Sequence, residues 1–68
     1  MKIKLKISRT NEIKEVILKS RSTVEDLLKE INLKPDTLIV LSNNKPIPID
    51  DILRNEQEIT ILQVSSGG

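Results

Sequence analysis

RSTVEDLLKEINL (residues 21–33) is the one stretch of this 68-residue chain long enough, and periodic enough, to be a full helix. Val24, Leu27, Leu28 and Ile31 fall at i, i+3, i+4 and i+7, a single apolar stripe, with Glu25, Asp26, Lys29 and Glu30 on the opposite side. Ser22 followed three residues later by Glu25 reads as a capping box, each side chain satisfying a backbone N–H at the helix start. The acids crowd the first turn, where the helix dipole favours them, and Asn32 and Pro35 stop the helix within three turns.

Everything on either side of this helix reads as strand. MKIKLKI (residues 1–7) sets Met1, Ile3, Leu5 and Ile7 against Lys2, Lys4 and Lys6, period two with one buried face. SRTNE turns the chain, and IKEVILK (13–19) returns as the second arm of a hairpin. After the helix, TLIVL (37–41) is a short apolar run of strand length, and Asn43-Asn44, tolerant of positive φ, turns the chain again. IPID (47–50) is at best a short edge strand, because Pro46 and Pro48 cannot donate to a ladder. DDILRN (50–55) has room for one helical turn that would set Ile52 and Leu53 against the core. QEITILQV (57–64) is the last strand.

Strand, strand, helix, strand, short strand, strand is the order of a β-grasp. The expected architecture is α+β: a mixed four- to five-stranded sheet with one helix across one face. The first and last strands lie parallel at its centre, and residues 20–56 give the crossover that parallel partners need. A ferredoxin-like fold needs a second full helix, for which DDILRN is too short. The expected division is a single domain over residues 1–64 and a C-terminal tail over 65–68, with no linker or repeat.

Composition narrows the function. Domains below about 70–80 residues commonly need disulfides or a metal, and this chain has no Cys and no His. What it has instead is a dense aliphatic set, eleven Ile, nine Leu, four Val and one Met, undiluted by aromatic residues. There is no thiol nucleophile, no imidazole base and no soft-metal site, and no aromatic platform for single-stranded nucleic acid. A net charge of +1 offers little attraction to nucleic acid or anionic lipid. Asp50-Asp51 suits a turn cap better than a hard-metal site. No apolar run approaches a membrane span and no secretory segment opens the chain, so a soluble, cytoplasmic, monomeric domain that is not itself an enzyme is expected.

The chain ends ITILQVSSGG, and Gly67 and Gly68 are its only glycines. With STVEDLL opening the helix and LIVLSNNKPIP as third strand and turn, this ending resembles the ubiquitin-like sulfur carriers and modifiers: ThiS and MoaD, the ubiquitin-related modifier and the small archaeal modifier proteins. Two departures stand out. Many ThiS-like chains carry Gly-Asp before the last strand, where this one reads Asn55-Glu56-Gln57. Ubiquitin carries arginines before its glycines, where this one has Ser65 and Ser66. The resemblance implies that an ATP-dependent adenylating enzyme activates the Gly68 carboxylate. A cysteine persulfide then supplies sulfur for a thiocarboxylate, or the acyl group passes to a protein lysine as an isopeptide. A sulfur-accepting synthase or target-protein lysines would be the downstream partners, with no cofactor bound by the carrier itself.

The tail suits that role physically. Four extended residues reach at most about 14 Å, enough to enter a channel, and without Cβ atoms Gly67 and Gly68 let a nucleophile approach the acyl carbon closely. Ser65, Ser66 and Gly67 would thread the activating enzyme. Strand alternation gives Ile59, Ile61, Leu38 and Val40 to the core and turns Ile39, Leu41, Leu62 and Val64 outward, an apolar docking patch beside the Lys2, Lys4, Lys6 stripe. Slipping the third strand by one residue would exchange its faces. The competing reading is a β-grasp interaction module with no activation at the C-terminus.

Overall fold

The alternation of residues 1–7 becomes strand β1 (Lys2–Ile7) in the computed structural model, which describes residues 1–64. β2 (Glu12–Ile17) returns antiparallel to it, with Ile3 opposite Val16 and Leu5 opposite Lys14. Helix α1 (Val24–Glu30) follows, then a short 3-10 turn, Pro35–Thr37. β3 (Leu38–Ser42), the two-residue β4 (Lys45–Pro46) and β5 (Gln57–Gln63) complete one five-stranded sheet, ordered β2-β1-β5-β3-β4. β1 and β5 are the parallel central pair, Leu5 beside Ile59 and Ile7 beside Ile61, and β3 runs antiparallel to β5. This is the β-grasp order that the sequence suggests.

One face of the sheet and the apolar stripe of α1 make the core. Ile3, Leu5, Val16, Leu18, Val40, Ile59 and Ile61 meet Val24, Leu27 and Leu28 of the helix, with Leu53 closing one side and Ile31 and Leu38 half-buried at the margin. Lys2, Lys4 and Lys6 face the opposite side, as a period of two demands. The third strand has the expected register, Val40 buried and Ile39 out, although its bounds sit one residue later than TLIVL.

The body contains no glycine, so other residues take its backbone positions. Asn11, Asn32, Asn43 and Asn44 all have positive φ, a conformation that asparagine tolerates better than other residues with a Cβ. Asn43 (φ 53) and Asn44 (φ 64) form a two-residue hairpin turn that sets Ser42 opposite Lys45. Asn32 closes α1. Its N–H donates to the Lys29 carbonyl (3.2 Å) and that of Leu33 to the Leu28 carbonyl (2.9 Å), a Schellman motif.

Three expectations need correction. The capping box is Thr23 with Asp26, not Ser22 with Glu25. The Thr23 hydroxyl accepts from the Asp26 N–H (3.3 Å), and the Asp26 carboxylate accepts from the Thr23 N–H (2.9 Å). Ser22 is buried in the preceding turn, where its hydroxyl donates to the Lys19 carbonyl (2.7 Å). DDILRN forms no helical turn. The carbonyls of Ile49 and Asp51 accept from the N–H groups of Glu25 (2.8 Å) and Val24 (3.0 Å), and the Leu53 N–H donates to the Ser22 carbonyl (2.8 Å). Drawn out along the helix start, the segment buries Leu53 and leaves Ile52 exposed. The short edge strand is Lys45–Pro46, because the two-residue turn pairs those residues, rather than IPID, with β3.

Candidate functional site

β5 positions the site. It lies between β1 and β3, its buried Ile59 and Ile61 anchor it to the core, and its seven residues span about 20 Å. Two bonds secure its far end: the Ser8 N–H donates to the Ile61 carbonyl (2.9 Å), and the Val64 N–H to the Thr37 carbonyl (2.8 Å). The β1–β2 turn and the 3-10 turn therefore flank the point where the chain leaves the sheet. Val64 is exposed there. Ser65, Ser66, Gly67 and Gly68 lie outside the described residues.

The outer face beside this exit is graded. Ile39 pairs directly with Leu62, and Leu41 with Thr60. Ile39 is 41% exposed and Leu41 and Leu62 are half-buried, so the structure brings the four residues singled out from sequence to the exit end of one face. Pro46, opposite Leu41, extends this row toward the β4 edge. Lys6 stands beside Thr60 and Lys4 beside Glu58 in the register, and the Lys2 ammonium meets the Glu15 carboxylate at 3.3 Å. The lysine stripe is thus interleaved with acids toward the start of β5 and gives way to apolar side chains toward the exit.

Sequence reasoning passes over two other outer-face residues. Ile13 and Ile17 of β2 are 77% and 68% exposed, on the same side as the lysines. The run Val16-Ile17-Leu18 obscures this, because three consecutive apolar residues do not show which ones face the core. A shallow hollow of about 200 Å³ lies between β2, β1 and β5, bounded by Lys4, Lys6, Ile13, Glu58 and Thr60. A wider depression of about 710 Å³ sits at the opposite end of β5 and mixes both signs of charge, Lys45 and Arg54 with Asp51, Glu56 and Glu58. Among the described residues no three His, Cys, Asp or Glu side chains gather as a metal site would require, and no helix is long and apolar enough to cross a membrane.

The departure at Asn55-Glu56-Gln57 has a backbone meaning. Glu56 has φ 62, the left-handed region where glycine is free of strain. Its N–H donates to the Lys2 carbonyl (2.6 Å), while Asn55 accepts from the Lys2 N–H through its side chain (2.8 Å). A glutamate thus holds this left-handed turn, tied to the start of β1.

A five-stranded mixed sheet with a single helix across one face and parallel central strands defines a ubiquitin-like β-grasp protein. The chain superposes on SAMP1 from Haloferax volcanii with a TM-score of 0.77, at 17% identity and over 100% of both chains. With the ubiquitin of Caldiarchaeum subterraneum the TM-score is 0.75 at 17% identity, over 100% of this chain and 98% of that one. In sequence it is 29% identical over 62 residues to the sulfur carrier protein TtuB of Thermus thermophilus, covering 91% of this chain and 95% of TtuB. An uncharacterized protein of Archaeoglobus fulgidus is 26% identical over the full length of both. The sequence profile of small archaeal modifier protein 2 matches residues 1–65, and the chain belongs to that family. It is a ubiquitin-like sulfur carrier or modifier.

Proposed function

We propose that the working group of this protein is the carboxylate of Gly68. A carboxylate oxygen attacks the α-phosphorus of ATP in a separate activating enzyme, pyrophosphate leaves, and the acyl-adenylate results. From there two nucleophiles can displace AMP. A lysine amine gives an isopeptide directly. A cysteine persulfide gives an acyl disulfide, and a thiol that attacks its donor-side sulfur releases the thiocarboxylate. The carrier supplies no acid or base to either route. Its contribution is the acyl group and the surface that presents it, while ATP belongs to the activating enzyme.

The observation that carries this reading is the anchoring of β5. A central strand, bonded on both sides and tied at Val64, leads in sequence directly to Ser65, Ser66, Gly67 and Gly68. The adjacent Ile39, Leu41, Leu62 and Val64 are the docking surface, with Ser65 to Gly67 threading the enzyme's channel. Membership in a modifier family and likeness to a sulfur carrier support the same assignment. ATP–pyrophosphate exchange by the cognate activating enzyme tests it. Deleting Gly67-Gly68 is expected to abolish exchange while leaving the fold intact, and exchange undiminished by the deletion would refute it. A non-covalent module would keep its partner binding after the same deletion.

A further inference from the structure

The two edges of the sheet are unlike. β4 is two residues long and contains Pro46, which blunts it against pairing. β2 is six residues long and has no proline, no bulge and no covering element among the described residues. Met1 and Leu18 exchange both backbone bonds, so by the alternation of an antiparallel ladder Val16, Lys14 and Glu12 point theirs at β1. The N–H and C=O groups of Ile13, Glu15 and Ile17 therefore point away from the sheet along its free edge. The two isoleucines among these three residues are the two most exposed large hydrophobic side chains in the described structure.

We propose that β2 is the seam of a reversible, symmetric pair of these chains, a departure from the monomer that the sequence suggests. Antiparallel pairing centred on Glu15 sets Ile13 opposite Ile17 of the second copy, Ile17 opposite its Ile13, and Glu15 opposite its Glu15. About six backbone bonds form, which uses every free donor and acceptor of the three residues. The isoleucines meet as direct cross-strand neighbours on the outer face, where such apolar pairs stabilise. Like charges meet at the dyad, which alone opposes pairing. Here the opposition is offset, because Lys2 lies 3.3 Å from Glu15 and Lys4 is its direct register partner. Two carboxylates are thus surrounded by four ammonium groups. On the inner face, Lys14 of the second copy stands opposite Val16, beside the groove that Asp26 and Glu30 border between β2 and α1. A second copy fits this edge because the same three residues complement themselves.

The result is a continuous ten-stranded sheet with both outer faces on one side. Because β5 runs parallel to β1 and β2 antiparallel to it, the two chain exits point to opposite ends. Neither docking patch is covered, so the pair presents two carrier ends at once. Two six-residue strands make a seam smaller than the roughly 1,200 Å² of standard interfaces, and the association is correspondingly weak.

Sedimentation velocity of the full chain from about 10 µM to about 1 mM tests the seam. The expected result is an average mass that climbs from 7.7 kDa toward twice that value. Amide exchange at Ile13, Glu15 and Ile17 should slow in parallel. Glu15→Lys places six cations at the dyad and should stay monomeric at every concentration, with an unchanged circular dichroism spectrum. Ile39→Lys, at the exit patch, should associate like the parent. A parent chain that remains monomeric throughout overturns the proposal, including the case in which the edge takes up an unrelated extended peptide. So does association that survives Glu15→Lys and disappears in Ile39→Lys, which would put the seam on the exit patch.

Discussion

Ile39 and Ile49 are both 41% exposed, and only Ile39 lies on the patch beside the chain exit. Ile49 sits at the helix start, where its carbonyl accepts from the Glu25 N–H. The pair makes a matched test of the docking surface. Burying a whole aliphatic side chain is worth about 1.5–3 kcal/mol. The fraction of Ile39 still exposed can therefore add about 0.5–1 kcal/mol when an enzyme covers it, and Ile39→Ala should raise the KM for activation about 2–5-fold. The part already buried is the same in both residues, so both alanine variants should lose about 1–2 kcal/mol of folding stability. Urea melts measure that common cost, and pyrophosphate exchange with the cognate activating enzyme measures KM. The account requires similar melts and a KM change confined to Ile39→Ala. Equal KM values for the two variants, or a larger rise in Ile49→Ala, would refute the assignment of the docking face.

Four further predictions concern the scaffold. Thr23→Ala should cost about 1 kcal/mol by removing the cap and lower Tm by roughly 4–8 °C. The hydrogen bond from the Thr23 N–H, with help from the Thr23 hydroxyl and the Lys29 charge, holds the Asp26 carboxyl below its ordinary 3.8. The stability this carboxylate contributes is fully present above that ordinary value and is lost as pH falls through the lowered folded-state value. Urea midpoints of the parent and Asp26→Asn should therefore differ at neutral pH and converge in acid. Leu53→Ala should cost about 2–5 kcal/mol and Ile52→Ala less than about 0.5, because only the first is buried. Two equal losses in denaturant melts would restore the helical turn that the segment lacks. Glu56→Gly should raise stability by about 1 kcal/mol by relieving the left-handed backbone, and an unchanged melt would show that the turn carries no strain.

Much of the fold could be read because its signals are local. Alternation in residues 1–7 shows directly which side of β1 is buried, and the stripe Val24, Leu27, Leu28, Ile31 does the same for α1. The sequence does not fix the cap to one residue, because STVED contains two overlapping pairs of the right spacing, Ser22 with Glu25 and Thr23 with Asp26. What decides between them is the Lys19 carbonyl, which draws the Ser22 hydroxyl back into the turn. Residues 50–55 are illegible for a different reason. The backbone bonds of Asp51 and Leu53 run to Val24 and Ser22, about thirty residues away, and no local pattern announces them. The exit patch was legible because strand alternation is strict once the register is right. The exposure of Ile13 and Ile17 was not, because it follows from β2 being an edge, which is a property of the whole sheet.

Intact-mass analysis of the protein purified from its own host bears most directly on the central claim. If the Gly68 carboxylate is the working group, a fraction of the chains carries sulfur in place of one C-terminal oxygen, or appears as conjugates that leave a Gly-Gly remnant on lysine after digestion. A chain found only as the free carboxylate, under conditions in which its activating enzyme is present and active, would contradict it.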